Sequence, residues 1–396
     1  MRCGRQLRLQ YVFAAPLQLT ADGGKSPRLN LSQSSRPVNV NRAFVFIITF
    51  MKTTTTCLLG LLLSALPPVG GQVKLTTVRT VPLEKVRGSV AELVVDELGQ
   101  FIVRSFNLDD LEYQAVEIYR QDGSLKQVIG GQKGWGPGSF YRLMGLDLGP
   151  NGQIYALDLN GRISVFEGTG KLMRSILIQQ PPIRPKTLAL DRAHGKYYVG
   201  GCLAKNEPNN GDCTYLHTFG LADDRLYGSS IDTDAGLVET RLKLLMTPRI
   251  AVDEKRGQVL LMQGPSSTLH SMSTDMKSSR SMQVTSGVAA TKMLKSISIE
   301  DARNATVLDR MFYDVTLFES LHVAGDFLLI GLRSGRRHFG QIIDLRSMKQ
   351  IATDIVLPGV PVGVDKAGHY IFASTPQTAS TTAKRLWTLT IGGFGL

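Results

Sequence analysis

The 396-residue chain lacks the short motifs that carry the commonest kinds of enzyme chemistry. It has no G-x-S-x-G segment, the signature of an activated serine, and its six histidines are scattered without the paired spacing of a zinc site. The glycine-rich segment "GGQKGWGPGSF" at 130–140 is followed by no helical pattern, and a phosphate-binding loop needs the amides of a helix N-terminus. These absences leave serine hydrolysis, paired-histidine metal catalysis and nucleotide binding without support.

Cysteine is scarce, at four residues. Cys3 and Cys57 lie in an N-terminal region that we expect to be removed, which leaves Cys202 and Cys213 on either side of the polar segment "LAKNEPNNGD". A cysteine pair that closes a loop in an exported protein predicts a disulfide. The alternative is two unrelated buried thiols.

No apolar run reaches the roughly 20 residues that a bilayer-spanning helix requires. The stretch 43–66 is interrupted by Lys52 and four threonines, which disfavours the competing interpretation as a transmembrane anchor. From Met51 the sequence "MKTTTTCLLGLLLSALPPVGGQ" has the layout of a secretory signal peptide. We therefore expect 1–50 to be a disordered, non-native upstream extension and 51–72 a signal peptide. The remainder, 73–396, would be secreted or periplasmic, without membrane insertion.

The excess of basic residues is concentrated in that N-terminal region. The net charge is +12, but residues 1–72 carry eight Lys or Arg residues and one Asp, which leaves +5 for residues 73–396. A balance this small is a weak argument for nucleic-acid binding. We therefore expect no nucleic-acid partner.

An internal repeat dominates residues 73–396. An apolar strand ending near Asp, a short turn with Gly and a second apolar strand recur six times, and each copy is followed by further strand sequence. The copies are "LVVDELGQFIV", "GLDLGPNGQIYALD", "LALDRAHGKYYVG", "IAVDEKRGQVLLM", the degenerate "LHVAGDFLLIG", and "VGVDKAGHYIFAS". Six such units predict an all-β, six-bladed β-propeller of four-stranded antiparallel blades. The strand "VKLTTVRTVPL" at 73–83 is predicted to join the last blade and close the ring.

The second copy, "GGQKGWGPGSFYRLMGLDLGPNGQIYALDLNGRISVFEGTGKLM", resembles the NHL repeat. The matching residues are Gly136, Pro137, Gly138, Phe140, Asp147, Gly152, Tyr155, Asp158, Arg162, Ile163 and Phe166. Across its full length the chain looks like the exported bacterial six-bladed propellers related to NHL proteins. The resemblance implies a propeller fold but no particular activity, since most members of that group have none assigned.

Recurrent aspartates belong to this pattern and are predicted to be structural. A single active site does not need the same carboxylate in nearly every repeat, whereas a turn in each blade does. We expect this turn role for Asp96, Asp147, Asp191, Asp253 and Asp365. Tyr155 and Tyr198 are assigned to the core.

Candidate binding residues lie in the segments that the repeats do not share. In a propeller, the connections between second and third strands and between blades emerge on one face, where binding residues commonly lie. The basic segment "RSGRRHF" predicts an anion-binding cluster there, with Trp135 as an aromatic anchor. The cluster would consist of Arg333, Arg336, Arg337 and His338. The alternatives are a solvated basic loop and a Trp that packs between blades.

Metal binding has limited support. Asp109, Asp110 and Glu112 offer oxygen ligands for Ca²⁺, although acidic residues are also common in surface turns. No other cofactor is predicted. The sequence therefore favours an exported, non-catalytic binding module for a protein, peptide or glycan. The alternative is a metal-dependent propeller hydrolase or lyase, because some related six-bladed propellers are lactonases or lyases. The segment 287–318 fits no blade.

Overall fold

The computed structural model describes residues 73–106, 114–131, 134, 136–178, 183–204, 213–232, 248–263, 266–288, 317–375 and 387–395. They form 24 strands and one short 3₁₀ turn at Pro150–Gly152. The strands begin with β1 (Lys74–Leu83), and blade 1 follows with β2 (Ser89–Val95), β3 (Phe101–Phe106), β4 (Gln114–Tyr119) and β5 (Leu125–Gly130). Blade 2 has β6 (Leu143–Leu148), β7 (Ile154–Asp158), β8 (Arg162–Phe166) and β9 (Leu172–Leu177). Blade 3 has β10 (Ile183–Asp191), β11 (Lys196–Ala204), β12 (Cys213–Gly220) and β13 (Leu226–Asp232). Blade 4 has β14 (Pro248–Asp253), β15 (Gln258–Gln263), β16 (Thr268–Ser273) and β17 (Ser279–Gln283). Blade 5 has β18 (Leu317–Ala324), β19 (Phe327–Ser334), β20 (Arg337–Asp344) and β21 (Lys349–Leu357), and blade 6 has β22 (Val360–Val364), β23 (Tyr370–Ser374) and β24 (Trp387–Gly395).

Each blade is a four-stranded antiparallel sheet, and the predicted six-bladed propeller is confirmed. Blades 1 to 5 use consecutive strands in order, whereas blade 6 takes its fourth strand from β1. β1 pairs with β24 from Lys74 opposite Gly395 to Leu83 opposite Trp387. The ring is thus closed as predicted, and β24 gains a partner instead of an exposed edge.

The core lies between blades and follows from the sequence pattern of the strands. β4 and β7 are buried at every position, whereas the outer strand β9 alternates half-buried and exposed residues. Two-sided burial requires the near-continuous apolar runs seen in middle strands, and one-sided burial requires only alternation. Tyr155 and Tyr198 are both buried, as predicted.

Six inner strands, the first of each blade, surround a central channel: β2, β6, β10, β14, β18 and β22. Glycine permits their close approach at two positions. A Cβ on Gly145 would lie 2.7 Å from the Leu188 nitrogen, and one on Gly363 would lie 2.4 Å from the Leu93 oxygen. Neighbouring inner strands are therefore held at backbone contact distance around the channel.

Among the helices of the described residues, none is long and apolar enough to cross a membrane.

Candidate functional site

The central channel has two chemically different ends. Each inner strand begins at the end where the second-to-third strand and inter-blade connections lie, which we term the loop end. It finishes at the end that carries the short turns within blades, which we term the turn end. A cavity of about 440 Å³ lies along the inner strands, with Glu92 and His322 lining it at mid-channel and Glu254 and Lys255 at the turn end.

An ion pair from blade 1 lies between mid-channel and the loop end. Arg104 Nε is 3.1 Å from Glu92 Oε2, and the same oxygen accepts a hydrogen bond of 2.9 Å from the Leu146 N–H of blade 2. A terminal nitrogen of Arg104 donates to the Leu143 carbonyl oxygen, also at 3.1 Å. Burial raises the pKa of Glu92, although the charges of Arg104 and Arg249 act in the opposite direction. This pair joins two blades and uses one of the two Glu92 oxygens.

A second charged group comes from blade 5. Arg333 Nε lies 2.8 Å from Glu319 Oε1, and His338 Nδ1 lies 3.4 Å from Glu319 Oε2. Glu319 belongs to the inner strand, and the antiparallel register places Arg333 opposite His338 on the next two strands. Both Glu319 oxygens therefore face a basic side chain of their own blade.

Arg249, on inner strand β14, lies among these groups without an ion pair in the described part of the chain. The charges of Arg104, Glu319 and Glu92 all act on it, and its buried Nε has no hydrogen-bond partner. Burial and the neighbouring Arg104 lower the pKa of Arg249, in that order of importance. The guanidinium thus carries a positive charge that the described side chains do not balance.

We call these side chains the loop-end cluster: Glu92, Arg104, Arg249, Glu319, Arg333 and His338. Two of its members, Arg333 and His338, were predicted as binding residues and are brought together by Glu319. Arg336 and Arg337 lie beside them at the turn between β19 and β20 and are exposed.

Most of the other predicted site residues are not among the residues that the structure describes. Trp135, Asp109, Asp110 and Glu112 are not among the described residues. Cys202 and Cys213 lie on neighbouring strands, where the register sets Ala204 opposite Cys213, but their side chains are not described. The disulfide and the calcium site therefore remain predictions. Within the described residues, no group of three or more His, Cys, Asp or Glu side chains could hold a metal ion.

Sequence reasoning missed four of the six members of the cluster. Glu92, Arg104, Arg249 and Glu319 each interrupt an otherwise apolar strand, in "SVAELVV", "FIVRSF", "PRIAVD" and "LFESLHVA". A charged residue inside a buried strand is unusual unless it is paired, and that signal was available. What the strands alone could not reveal is that four charges from three blades meet at one place.

The prediction for the recurrent aspartates is correct at four positions and wrong at Asp147. Asp96, Asp191, Asp253 and Asp365 accept hydrogen bonds from backbone N–H groups of their own first turns. In blade 2 that place is taken by Gly149, whose N–H pairs with the Gln153 oxygen.

Asp147 lies two residues earlier, and its function is to join blades. Its oxygens accept hydrogen bonds of 2.7 Å from the N–H groups of Leu148 and, in blade 3, Leu190. Burial raises the pKa of Asp147 to about 7, against the effect of these two hydrogen bonds. The carboxyl group therefore binds a proton near neutral pH, unlike an ordinary surface aspartate.

Comparisons with known proteins identify the fold. No family model matches the chain, and no curated protein matches it. A member of the DUF4221 family from Bacteroides vulgatus superposes with a TM-score of 0.59 at 11% identity, covering 81% of this chain and 98% of its own. A Bacteroides fragilis protein whose name describes it as exported gives 0.55 at 10% identity, covering 83% and 98%. At such identities the likeness is one of fold, and the NHL assignment is not confirmed.

Proposed function

We propose that the protein is an exported, non-catalytic binding module that takes an anionic ligand or partner at the loop end of its channel. The observation that carries the proposal is the charge imbalance of the loop-end cluster. Three guanidinium groups face two carboxylates, and Arg249 has no ion-pair partner among the described residues. Positive charge held in a partly desolvated site attracts anions more strongly than the same charge in water.

The turn between β19 and β20 extends this positive surface outward. Arg336 and Arg337 are exposed there, next to the Glu319-bound Arg333 and His338. Guanidinium groups match carboxylate and sulfate oxygens in planar, two-point geometry, so an acidic glycan or peptide suits this surface. Trp135 would add an aromatic contact on the same face. Export is supported by the signal-peptide pattern and agrees with the fold shared with an exported protein.

The test is the affinity of the full chain for acidic and neutral glycans and peptides, measured by isothermal titration calorimetry. Changing Arg336 and Arg337 to Ala is expected to weaken acidic ligands about tenfold and to leave neutral ones unchanged. The matched control changes Lys171 and Arg280 to Ala, because both are exposed and the loss of charge is equal. Equal affinity in both double variants would reject the basic surface. A stoichiometric metal found by elemental analysis, with stability lost in EDTA, would favour the hydrolase or lyase alternative instead.

A further inference from the structure

We propose that Arg249 and His322 form a binding site inside the channel for a small hydroxylated monocarboxylate, such as a sugar acid. This inference rests on the proposed function, because it identifies the chemical group that the loop end would bind. It depends on three observations: the unpartnered Nε of Arg249, the unpartnered Nε2 of His322, and a cavity lined by His322 and by Ile250, which follows Arg249 in β14.

The two carboxylates whose charges act on Arg249 each have a basic partner in their own blade. The Glu92 oxygen nearest to Arg104 is shared between that guanidinium at 3.1 Å and the Leu146 N–H at 2.9 Å. Glu319 faces Arg333 with one oxygen and His338 with the other. Each carboxylate thus has a basic neighbour in its own blade, and Arg249 Nε is left buried without a hydrogen bond.

A buried and unpaired charge is unfavourable, and the imbalance indicates what would relieve it. Among the described residues of the loop-end cluster, three guanidinium groups against two carboxylates leave one positive charge, which one carboxylate neutralises and a phosphate dianion would exceed. A carboxylate also presents two coplanar oxygens to the guanidinium fork, which gives the strongest common form of this contact. The group expected at Arg249 is therefore a single carboxylate.

His322 supplies the second contact. It lines the cavity, and it is close enough to Arg249 for that charge to act on its titration. The Pro361 backbone acts on the titration of the ring, and because it offers only a carbonyl oxygen it favours a ring N–H on the side that faces it. Burial lowers the pKa of His322 to about 4, so the imidazole is neutral at pH 7. The remaining nitrogen, Nε2, is then an unprotonated acceptor, and it is buried without a partner.

An unpartnered acceptor beside a carboxylate site indicates a ligand with a hydroxyl donor. The cavity of about 440 Å³ lies next to His322, so a ligand of monosaccharide size has room. Leu146, Leu188 and Leu321 add aliphatic wall near His322, and charged residues line the cavity as well: Glu92, Asp147, Arg192, Asp253, Glu254 and Lys255. Near Arg249 and His322 the site thus offers one unpaired cation, one neutral acceptor and aliphatic side chains, and Glu254 and Lys255 line the cavity only at its turn end. The carboxylates in the cavity wall would repel a highly charged anionic polymer, so a small sugar acid suits the site better.

The experiment titrates the full chain with four probes: glucuronate, glucose, cyclohexanecarboxylate and inorganic phosphate. Glucuronate is expected to bind, glucose and phosphate to bind at least tenfold more weakly, and cyclohexanecarboxylate to bind several-fold more weakly than glucuronate. Arg249→Gln should weaken glucuronate by about ten- to a hundredfold. His322→Phe should reduce glucuronate to the affinity of cyclohexanecarboxylate without changing the latter, a result that a merely structural role would not give.

A second measurement keeps the proposal testable if Arg249→Gln does not fold. The Nε–H signal of Arg249 in a ¹H–¹⁵N spectrum, assigned from its loss in Arg249→Lys, should shift on addition of glucuronate and stay unchanged with glucose. An unshifted signal overturns the channel site, and so does unchanged affinity in Arg249→Gln. Tighter binding of the peptide carboxylate acetyl-dialanine than of glucuronate overturns the hydroxyl contact.

The two proposals fail differently. If the Arg336 and Arg337 variants lose acidic ligands while Arg249→Gln keeps them, the binding module stands and the channel site is wrong. If the wild-type protein binds no anionic probe of either set, both are wrong.

Discussion

The two ends of the channel differ in how their charges are paired. At the turn end, ion pairs join successive blades: Arg192 with Glu254 at 3.2 Å, and Lys255 with Asp326 at 2.9 Å. Arg256 pairs with Asp253 at 2.8 Å and also with Asp326. At the loop end, two similar pairs are present, but Arg249 is left over among the described residues.

This difference separates charges that hold the ring of blades closed from a charge that is available to a ligand. Charges that are paired between blades hold the ring together and have little left for a ligand, whereas an unpaired and partly desolvated charge is unfavourable until a ligand arrives. Lys366 also joins two blades at the turn end. Its ammonium group donates a hydrogen bond to the Glu97 carbonyl oxygen across the junction between blades 6 and 1. The paired charges therefore have a structural role at the turn end, and the unpaired charge supports the binding that we propose at the loop end.

The largest expected effect comes from disturbing the ring that keeps the two ends apart. Gly363→Ala would place a Cβ 2.4 Å from the Leu93 oxygen, so the inner strands of blades 6 and 1 must separate. We expect a loss of about 1–3 kcal/mol in the free energy of unfolding, measured by urea denaturation. Gly395→Ala is the control, since no atom lies within 4 Å of its added Cβ. An equal, small effect at both glycines would show that the inner strands are not tightly packed.

A medium effect is expected at mid-channel, where Asp147 titrates. Its pKa is about 7 in the folded protein and about 3.9 in an unfolded chain, so its stabilising contribution is complete below pH 4 and is lost as the pH rises to about 7. Relative to Asp147→Asn, the wild-type protein should lose on the order of 1 kcal/mol or more between pH 5 and pH 8. Asp147→Asn also loses a hydrogen bond, which lowers the free energy of unfolding by the same amount at every pH. The difference in slope between the two stability-versus-pH profiles therefore reports the titration of Asp147.

His322→Gln is the matched control, because its titration has the opposite sign. The pKa of His322 is lowered from 6.5 to about 4, so its contribution is complete above pH 6.5 and is lost as the pH falls to about 4. His322→Gln should therefore flatten the acid side of the stability profile and leave the fall in stability above pH 6.5, which comes from Asp147, unaffected. Parallel profiles for wild type and Asp147→Asn would contradict the raised pKa of Asp147.

Structural features formed by residues close together in the sequence were predictable, whereas features formed by residues far apart were not. The blades were predictable, because a strand, a turn with Asp or Gly, and a second strand are neighbours in sequence. Ring closure by β1 was predictable too, since the last blade was one strand short. Asp147 was misassigned because its partner, the Leu190 N–H, lies in the next blade. Only two of the six members of the loop-end cluster were predicted, because Glu92, Arg249 and Glu319 are far apart in the chain and meet only in a closed ring.

The smallest expected effect lies at the turn end, and it tests whether that end is purely structural. Asp326 contacts Lys255, Arg256 and Arg346, and these three cations hold the pKa of its carboxyl well below its usual range. Asp326→Asn should lower Tm slightly in low salt, and the difference should shrink in 1 M NaCl, because exposed ion pairs are screened.

Asp275→Asn, which removes an isolated exposed pair with Lys277, should lower Tm less than Asp326→Asn, because a carboxylate shared by three cations joins more of the structure than a pair within one turn. Ligand affinity should be unchanged in both variants. If Asp326→Asn instead weakened an anionic ligand as much as Arg249→Gln does, the two ends would act together in binding. The assignment of closure to one end and recognition to the other would then be wrong.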